Sequence, residues 1–150
     1  MNYHDGNPTV LVVEDDPRLL SLMQDVLSTA GFDAGLAKDA SDGLSLVRER
    51  KGHFDLAIID MVMPGVSGLD LATDLAREYP RIPILYISGY VGSLAAEALA
   101  RRSPERVLLK PFTPQVLLER VRAMLQIAPP CNPSQPATSS GPTIRNGTLG

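Results

Sequence analysis

Apolar residues fall along this chain in two alternating rhythms. Short runs that are apolar at successive positions, Val10 to Val13, Leu56 to Ile59, Ile84 to Ile87 and Val107 to Leu109, predict strands buried on both faces. A fifth run, Phe32 to Ala37, alternates (Phe32, Ala34, Leu36) and predicts a half-exposed edge strand. Between the runs the spacing changes to a helical period. Residues 17–30 align Leu20, Met23, Leu27 and Ala30, with Asp16 as N-cap, Pro17 in the first turn and Gly31 as the stop. Residues 40–51 align Ala40, Leu44 and Val47, and residues 68–79 align Leu69, Ala72, Ala76 and Tyr79 before Pro80. An Ala-rich helix over 92–102 stops before Pro104, and Thr113 with Pro114 opens a last helix that turns Leu117, Val121 and Met124 inward.

Five β-α units with short connections predict an α/β fold, a doubly wound five-stranded parallel sheet flanked by five helices. In such a sheet the binding crevice lies beyond the carboxyl ends of the strands. The chain has 150 residues, 44% of them hydrophobic, enough for one domain and too few for a second. The expected division is a flexible start over 1–8, a folded domain over 9–128 and a disordered Pro/Ser-rich tail over 129–150. Nothing in that tail reads as an output domain.

Charge and cysteine content narrow the function. The net charge is -3 with no dense basic run, so no direct nucleic-acid contact is expected; Arg101, Arg102 and Arg106 read as a solvated helix end. One cysteine, Cys131, cannot form an internal disulfide, and two distant histidines, His4 and His53, cannot complete a zinc set. The start, MNYHDGNPT, has no apolar core, and no run reaches the roughly 18 residues of a membrane helix, so a cytoplasmic protein with no membrane contact is expected.

Polar residues close the strands on one edge. The first strand runs into Glu14, Asp15 and Asp16, the third ends in Asp60, the fourth in Ser88 and Gly89, and the fifth in Lys110, Pro111 and Phe112. A parallel sheet brings these ends together. Crowded carboxylates repel unless a proton, Lys110 or a cation relieves them. Hard oxygen donors that leave room for water suit Mg²⁺ (or Mn²⁺). With charge screened in that way, Asp60 could attack a phosphoryl group while Ser88 and Lys110 engage its oxygens.

In the combination VLVVEDD, IIDMVMPGVSG, ILYISGY and LLKPF, the chain resembles the receiver domain of two-component response regulators, from about Thr9 to Ile127. The resemblance implies a flavodoxin-like strand order, 2-1-3-4-5. It implies Asp60 as phosphoacceptor, with Glu14, Asp15, Asp60 and the backbone carbonyl of Val62 as metal ligands, Asp15 the more direct of the acidic pair. It also implies Ser88 as switch hydroxyl, Lys110 as the phosphate-binding amine and a cis bond before Pro111, buried there to aim the amine. The implied partners are a sensor histidine kinase or histidine phosphotransfer protein upstream and a protein target downstream.

Two departures from the family pattern stand out. Val107 occupies a place where receivers commonly carry an aromatic ring, so signalling is expected to use movement of the Ser88–Arg102 loop and helix. Val62 and Tyr90 flank the approach of a hydrolytic water, and neither can orient it, which predicts a slowly hydrolysed aspartyl phosphate; Tyr90 and Val107 are also output-surface candidates. Two rival readings are a pseudo-receiver that binds partners without phosphorylation and a phosphatase of the haloacid dehalogenase type. The second needs a carboxylate two residues after the nucleophile, where this chain has Val62.

Overall fold

In the computed structural model the chain forms a five-stranded parallel sheet in the order β2-β1-β3-β4-β5. Residues 6–63, 65, 67–89 and 94–126 are described; His4, Tyr90, Cys131 and the tail from 129 lie outside them. The strands are β1 (Thr9–Val13), β2 (Asp33–Ala37), β3 (Leu56–Asp60), β4 (Ile84–Ser88) and β5 (Val107–Leu109). The helices are α1 (Pro17–Thr29), α2 (Ala40–Glu49), α3 (Gly68–Glu78), α4 (Leu94–Arg102) and α5 (Pro114–Leu125), with a 3-10 turn at Pro104–Arg106 before β5.

The central strands are apolar throughout because both faces are covered. Val10, Val12, Ile58, Leu85 and Ile87 pack against Met23 and Leu27 of α1 and Leu117 and Val121 of α5. On the other face Leu11, Val13, Ala57 and Ile59 meet Val47 of α2 and Leu71 and Leu75 of α3. Each fully buried Leu or Met side chain contributes about 1.5–3 kcal/mol of transfer free energy, so these two layers hold the sheet rigid beneath the strand ends. Side-chain caps start α1, α2, α3 and α5: Asp16 accepts from the Arg18 N–H, Asp39 from Asp42, Ser67 from Asp70 and Thr113 from Val116.

Two details of the periodic reading change. In α3 the buried stripe is Leu71, Ala72 and Leu75, while Ala76 is exposed and Leu69 half-buried. Both stripes fit the helical period, and the one carrying two leucines removes more apolar area from water. Strand β2 is at the sheet edge, yet the residues between its alternating apolar set are covered: Gly35 and Ala37 are buried, and a side chain at Gly35 would run into the Phe54 ring. No helix among the described residues is long and apolar enough to cross a membrane.

Candidate functional site

The register of the sheet sets the site. Val13 pairs with Ile59, and Asp60 pairs with Ile87, one residue short of Ser88. The residue that follows β1 is Glu14, and the Lys110 N–H after β5 donates to the Ser88 carbonyl at 2.9 Å. Four strand ends thus bring Glu14, Asp60, Ser88 and Lys110 to one rim.

The acidic loop sorts its three carboxylates by direction. Glu14 is 1% exposed, Asp15 is exposed at the surface, and Asp16 turns back to cap α1 through the Arg18 N–H. The Asp16 N–H donates to Glu14 Oε1 at 3.2 Å, so the cap of α1 also holds Glu14 in place. Asp60 is 2% exposed; its Oδ1 accepts from the Val62 N–H at 2.9 Å, and its Oδ2 accepts from Lys110 Nζ at 3.0 Å. Lys110, 26% exposed, also lies 3.3 Å from Glu14 Oε2 and 3.5 Å from Oε1. Among the described residues Oε2 accepts no hydrogen bond, so the 3.3 Å approach is an ion pair without the alignment of a hydrogen bond.

The electrostatics follow from this crowding. Glu14 is raised from its ordinary 4.5 to about 7, first by burial, then by its hydrogen bond with Asp60 and the Asp60 charge, against the Asp16 N–H and Lys110. For Lys110 burial pulls downward, but the hydrogen bond and charge of Asp60 with the charge of Glu14 outweigh it and hold the ammonium above the ordinary lysine value.

One carboxylate oxygen from each of Glu14, Asp15 and Asp60 lies within 4.8 Å of the others. An acidic cluster alone is common on protein surfaces. Here two of its members are buried and one buried oxygen has no hydrogen-bond donor, which fits a hard divalent cation held by oxygen ligands. Ser88 is buried at the rim, 7% exposed. The Lys110–Pro111 peptide bond is cis, and Pro111 itself is exposed where a buried ring was expected.

Val62, 62% exposed, stands at the mouth of the site, so its side chain offers neither ligand nor base. Val107 is buried, and Tyr86 is its register partner. Tyr90 lies outside the described residues, and His53 is exposed and away from the rim. The pattern of polar strand ends did not single out Gly68. Its signal is a glycine in the first turn of a helix, a place where helix propensity alone disfavours it.

Comparison with known proteins identifies the family and the fold. A family model described as "Response regulator receiver domain" matches residues 10–122. The DNA-binding response regulator MtrA of Mycolicibacterium smegmatis is 33% identical over 117 residues, covering 78% of this chain and 50% of that protein. The uncharacterized transcriptional regulatory protein YrkP of Bacillus subtilis is 32% identical over 117 residues, covering 78% and 49%. The chain spans about half the length of the curated relatives it matches. Among solved structures, a response regulator receiver domain from Clostridium thermocellum superposes with a TM-score of 0.71 at 26% identity, covering 79% of this chain and 94% of that one. A CheY-like receiver domain from Methanospirillum hungatei gives a TM-score of 0.72 at 24% identity, covering 81% and 95%, a likeness of fold.

Proposed function

The chain belongs to the response regulator receiver domain family of two-component systems, and from that premise we propose that Asp60 is its phosphoacceptor. The donor is a phosphohistidine on a sensor histidine kinase or a histidine phosphotransfer protein. A carboxylate oxygen of Asp60 attacks the phosphorus, the new P–O bond forms as the P–N bond breaks, and the imidazole leaves with the electron pair of that bond. Phosphoryl transfer asks mainly for alignment and for neutralisation of the equatorial oxygens.

The observation that carries the reading is Lys110 Nζ, held 3.0 Å from Asp60 and 3.3 Å from Glu14 at a rim where three carboxylates come together. Lys110 neutralises part of the acidic charge before transfer and is within reach of a phosphoryl oxygen after it. The Val62 N–H steadies one oxygen of Asp60, leaving the carboxylate oriented for attack. Ser88 offers its hydroxyl to another phosphoryl oxygen, which makes it the residue through which the rim senses the modification. Glu14, Asp15 and Asp60, with the Val62 carbonyl, would hold Mg²⁺ or Mn²⁺. Bound there, the ion would neutralise charge on the carboxylates and on the incoming phosphoryl oxygens.

The phosphorylated rim is read by a downstream protein, through the segment from Ser88 to Arg102. The chain acts as a signalling domain rather than a turnover enzyme: the valine at position 62 has no proton to give a leaving group. Incubation with acetyl phosphate and Mg²⁺ tests the reading. The wild-type chain should gain one phosphoryl group on Asp60, by intact-mass and peptide analysis, and Asp60→Asn should gain none. Labelling that survives in Asp60→Asn, or a wild type that stays unlabelled, would overturn it.

A further inference from the structure

We infer that Gly68 is a positioning residue of the acidic rim, acting through main-chain contact; the inference rests on the reading of Asp60 as phosphoacceptor. Gly68 is the first residue of α3 and is buried. A Cβ added there would overlap the Asp60 carbonyl oxygen and lie 2.8 Å from the Asp60 carbonyl carbon and 2.9 Å from Met61 Cα. All three are backbone atoms at the end of β3, in Asp60 and the residue after it, so no side-chain rotation can make room. The Gly68 N–H also points to the Met61 carbonyl at 3.4 Å.

The helix itself does not require glycine at this position. The backbone of Gly68 is outside the left-handed region, where any residue fits, and helix propensity favours alanine. At other tightly packed glycines an added Cβ would meet side chains: at Gly35 the Phe54 ring at 2.9 Å, and at Gly43 Val13 Cγ2 at 3.0 Å. Among the described glycines Gly68 alone has only backbone as its close neighbours. Its missing side chain lets the first turn of α3 rest directly on the Asp60–Met61 peptide. That contact fixes the Asp60 backbone, from which the carboxylate reaches the Val62 N–H at 2.9 Å and Lys110 at 3.0 Å.

A methyl group at position 68 must push either α3 or the Asp60–Met61 peptide away. The Asp60 carboxylate then tilts relative to Glu14 and Asp15, whose oxygens lie within 4.8 Å of it. Mg²⁺ demands near-ideal octahedral geometry, whereas Ca²⁺ accepts irregular oxygen ligands. Displacement of Asp60 should therefore weaken Mg²⁺ more than Ca²⁺, a selectivity that general loss of stability does not produce.

The experiment titrates Mg²⁺ and Ca²⁺ into the full chain, following the backbone amides of residues 14–16 and 60–62 by NMR, with foldedness checked by circular dichroism. Gly68→Ala should lower Mg²⁺ affinity by about 10- to 100-fold, the range typical of groups that orient metal ligands, and Ca²⁺ affinity by less. Gly35→Ala, which crowds a ring instead of the strand end, should leave the Mg²⁺-to-Ca²⁺ ratio as in wild type. Ser67→Ala releases the same turn without added bulk, by removing the cap that Ser67 Oγ makes with the Asp70 N–H at 3.2 Å, and should lower Mg²⁺ affinity in the same direction. If Gly68→Ala does not fold, Ser67→Ala decides alone.

Wild-type Mg²⁺ affinity in folded Gly68→Ala, or in Ser67→Ala where that variant decides, overturns this inference by itself. An equal change in the ratio in Gly35→Ala does the same. A wild type that takes no phosphoryl group from acetyl phosphate overturns the functional reading, and this inference with it.

Discussion

Replacing Glu14 by Gln should stabilise the protein above neutral pH when divalent cations are removed. Glu14 is buried with a pKa of about 7 against an ordinary 4.5, a difference of about 2.5 units. At about 1.36 kcal/mol per unit, keeping it ionised in the folded state costs about 3 kcal/mol. The sign follows from proton uptake. Between pH 4.5 and 7 the folded chain holds a proton on Glu14 that the unfolded chain has released, so stability falls as pH rises through that window. Its contribution is fully present below about pH 4.5 and absent above about 7.

Gln keeps the shape and the acceptor for the Asp16 N–H, and Lys110 keeps Asp60 at 3.0 Å, so the substitution removes little except the charge. Urea unfolding of both proteins at pH 4 to 8 with a chelator measures the effect. Near pH 4 the two should be nearly equal, and at pH 8 the variant should be more stable by about 3 kcal/mol. Mg²⁺ at pH 8 should reverse the order by binding only the wild type well. Equal pH slopes in the two proteins, or a variant less stable than wild type at pH 8 in chelator, would refute the reasoning.

Lys110→Met leaves Asp60 and Glu14 without their cation; it should abolish phosphoryl uptake from acetyl phosphate. It should also cost about 1–3 kcal/mol at pH 8, below the full value of a buried pair because Lys110 is 26% exposed, and less at pH 5, where Glu14 is protonated. If position 62 flanks the approach of a hydrolytic water to phosphorylated Asp60, Val62→Asn should speed loss of the phosphoryl group several-fold in a radiolabel chase; an unchanged lifetime counts against that role for position 62. Arg120 donates through Nη1 to the carbonyls of Pro104, Glu105 and Val107 at 3.0, 3.2 and 2.8 Å, tying α5 to the 3-10 turn before β5. Arg120→Met should cost about 1–3 kcal/mol of unfolding free energy by leaving those acceptors without their donor, and a melting temperature equal to wild type would deny the tie any weight.

Much of the fold is legible locally. Strands such as Leu56–Asp60 read clearly because burial on both faces demands an unbroken apolar run, here Leu56 to Ile59, and α1 reads clearly because Asp16 and Pro17 mark its start. Strand order is another matter. Which strands become neighbours depends on crossovers that leave no periodic trace, so 2-1-3-4-5 came from resemblance to a family and not from hydrophobic spacing. The buried face of α3 is not fixed by spacing, because Leu69 and Leu71 both sit on acceptable helical stripes, and only the position of the sheet decides between them.

At the site, legibility follows the chemistry of anomaly. A carboxylate ending an apolar strand, as Asp60 does, is costly enough to bury that its presence already asks for a reason. Lys110 after β5 raises the same question with the opposite sign. The features that hold these groups in place leave weaker traces: Asp16 is an ordinary cap whose N–H also steadies Glu14, and Gly68 matters through atoms it lacks. Chemistry is thus written in charged residues where the pattern asks for apolar ones, whereas positioning leaves fainter marks, a satisfied cap at Asp16 and a glycine at the start of α3. Glu14 joins the two. One lysine, 3.3 Å away and shared with Asp60, leaves it near half-protonated at neutral pH, so without a cation the rim holds its acids together only against their own repulsion. Binding a cation and binding a phosphoryl group should therefore favour each other, since each relieves or engages the charge that the other leaves unbalanced.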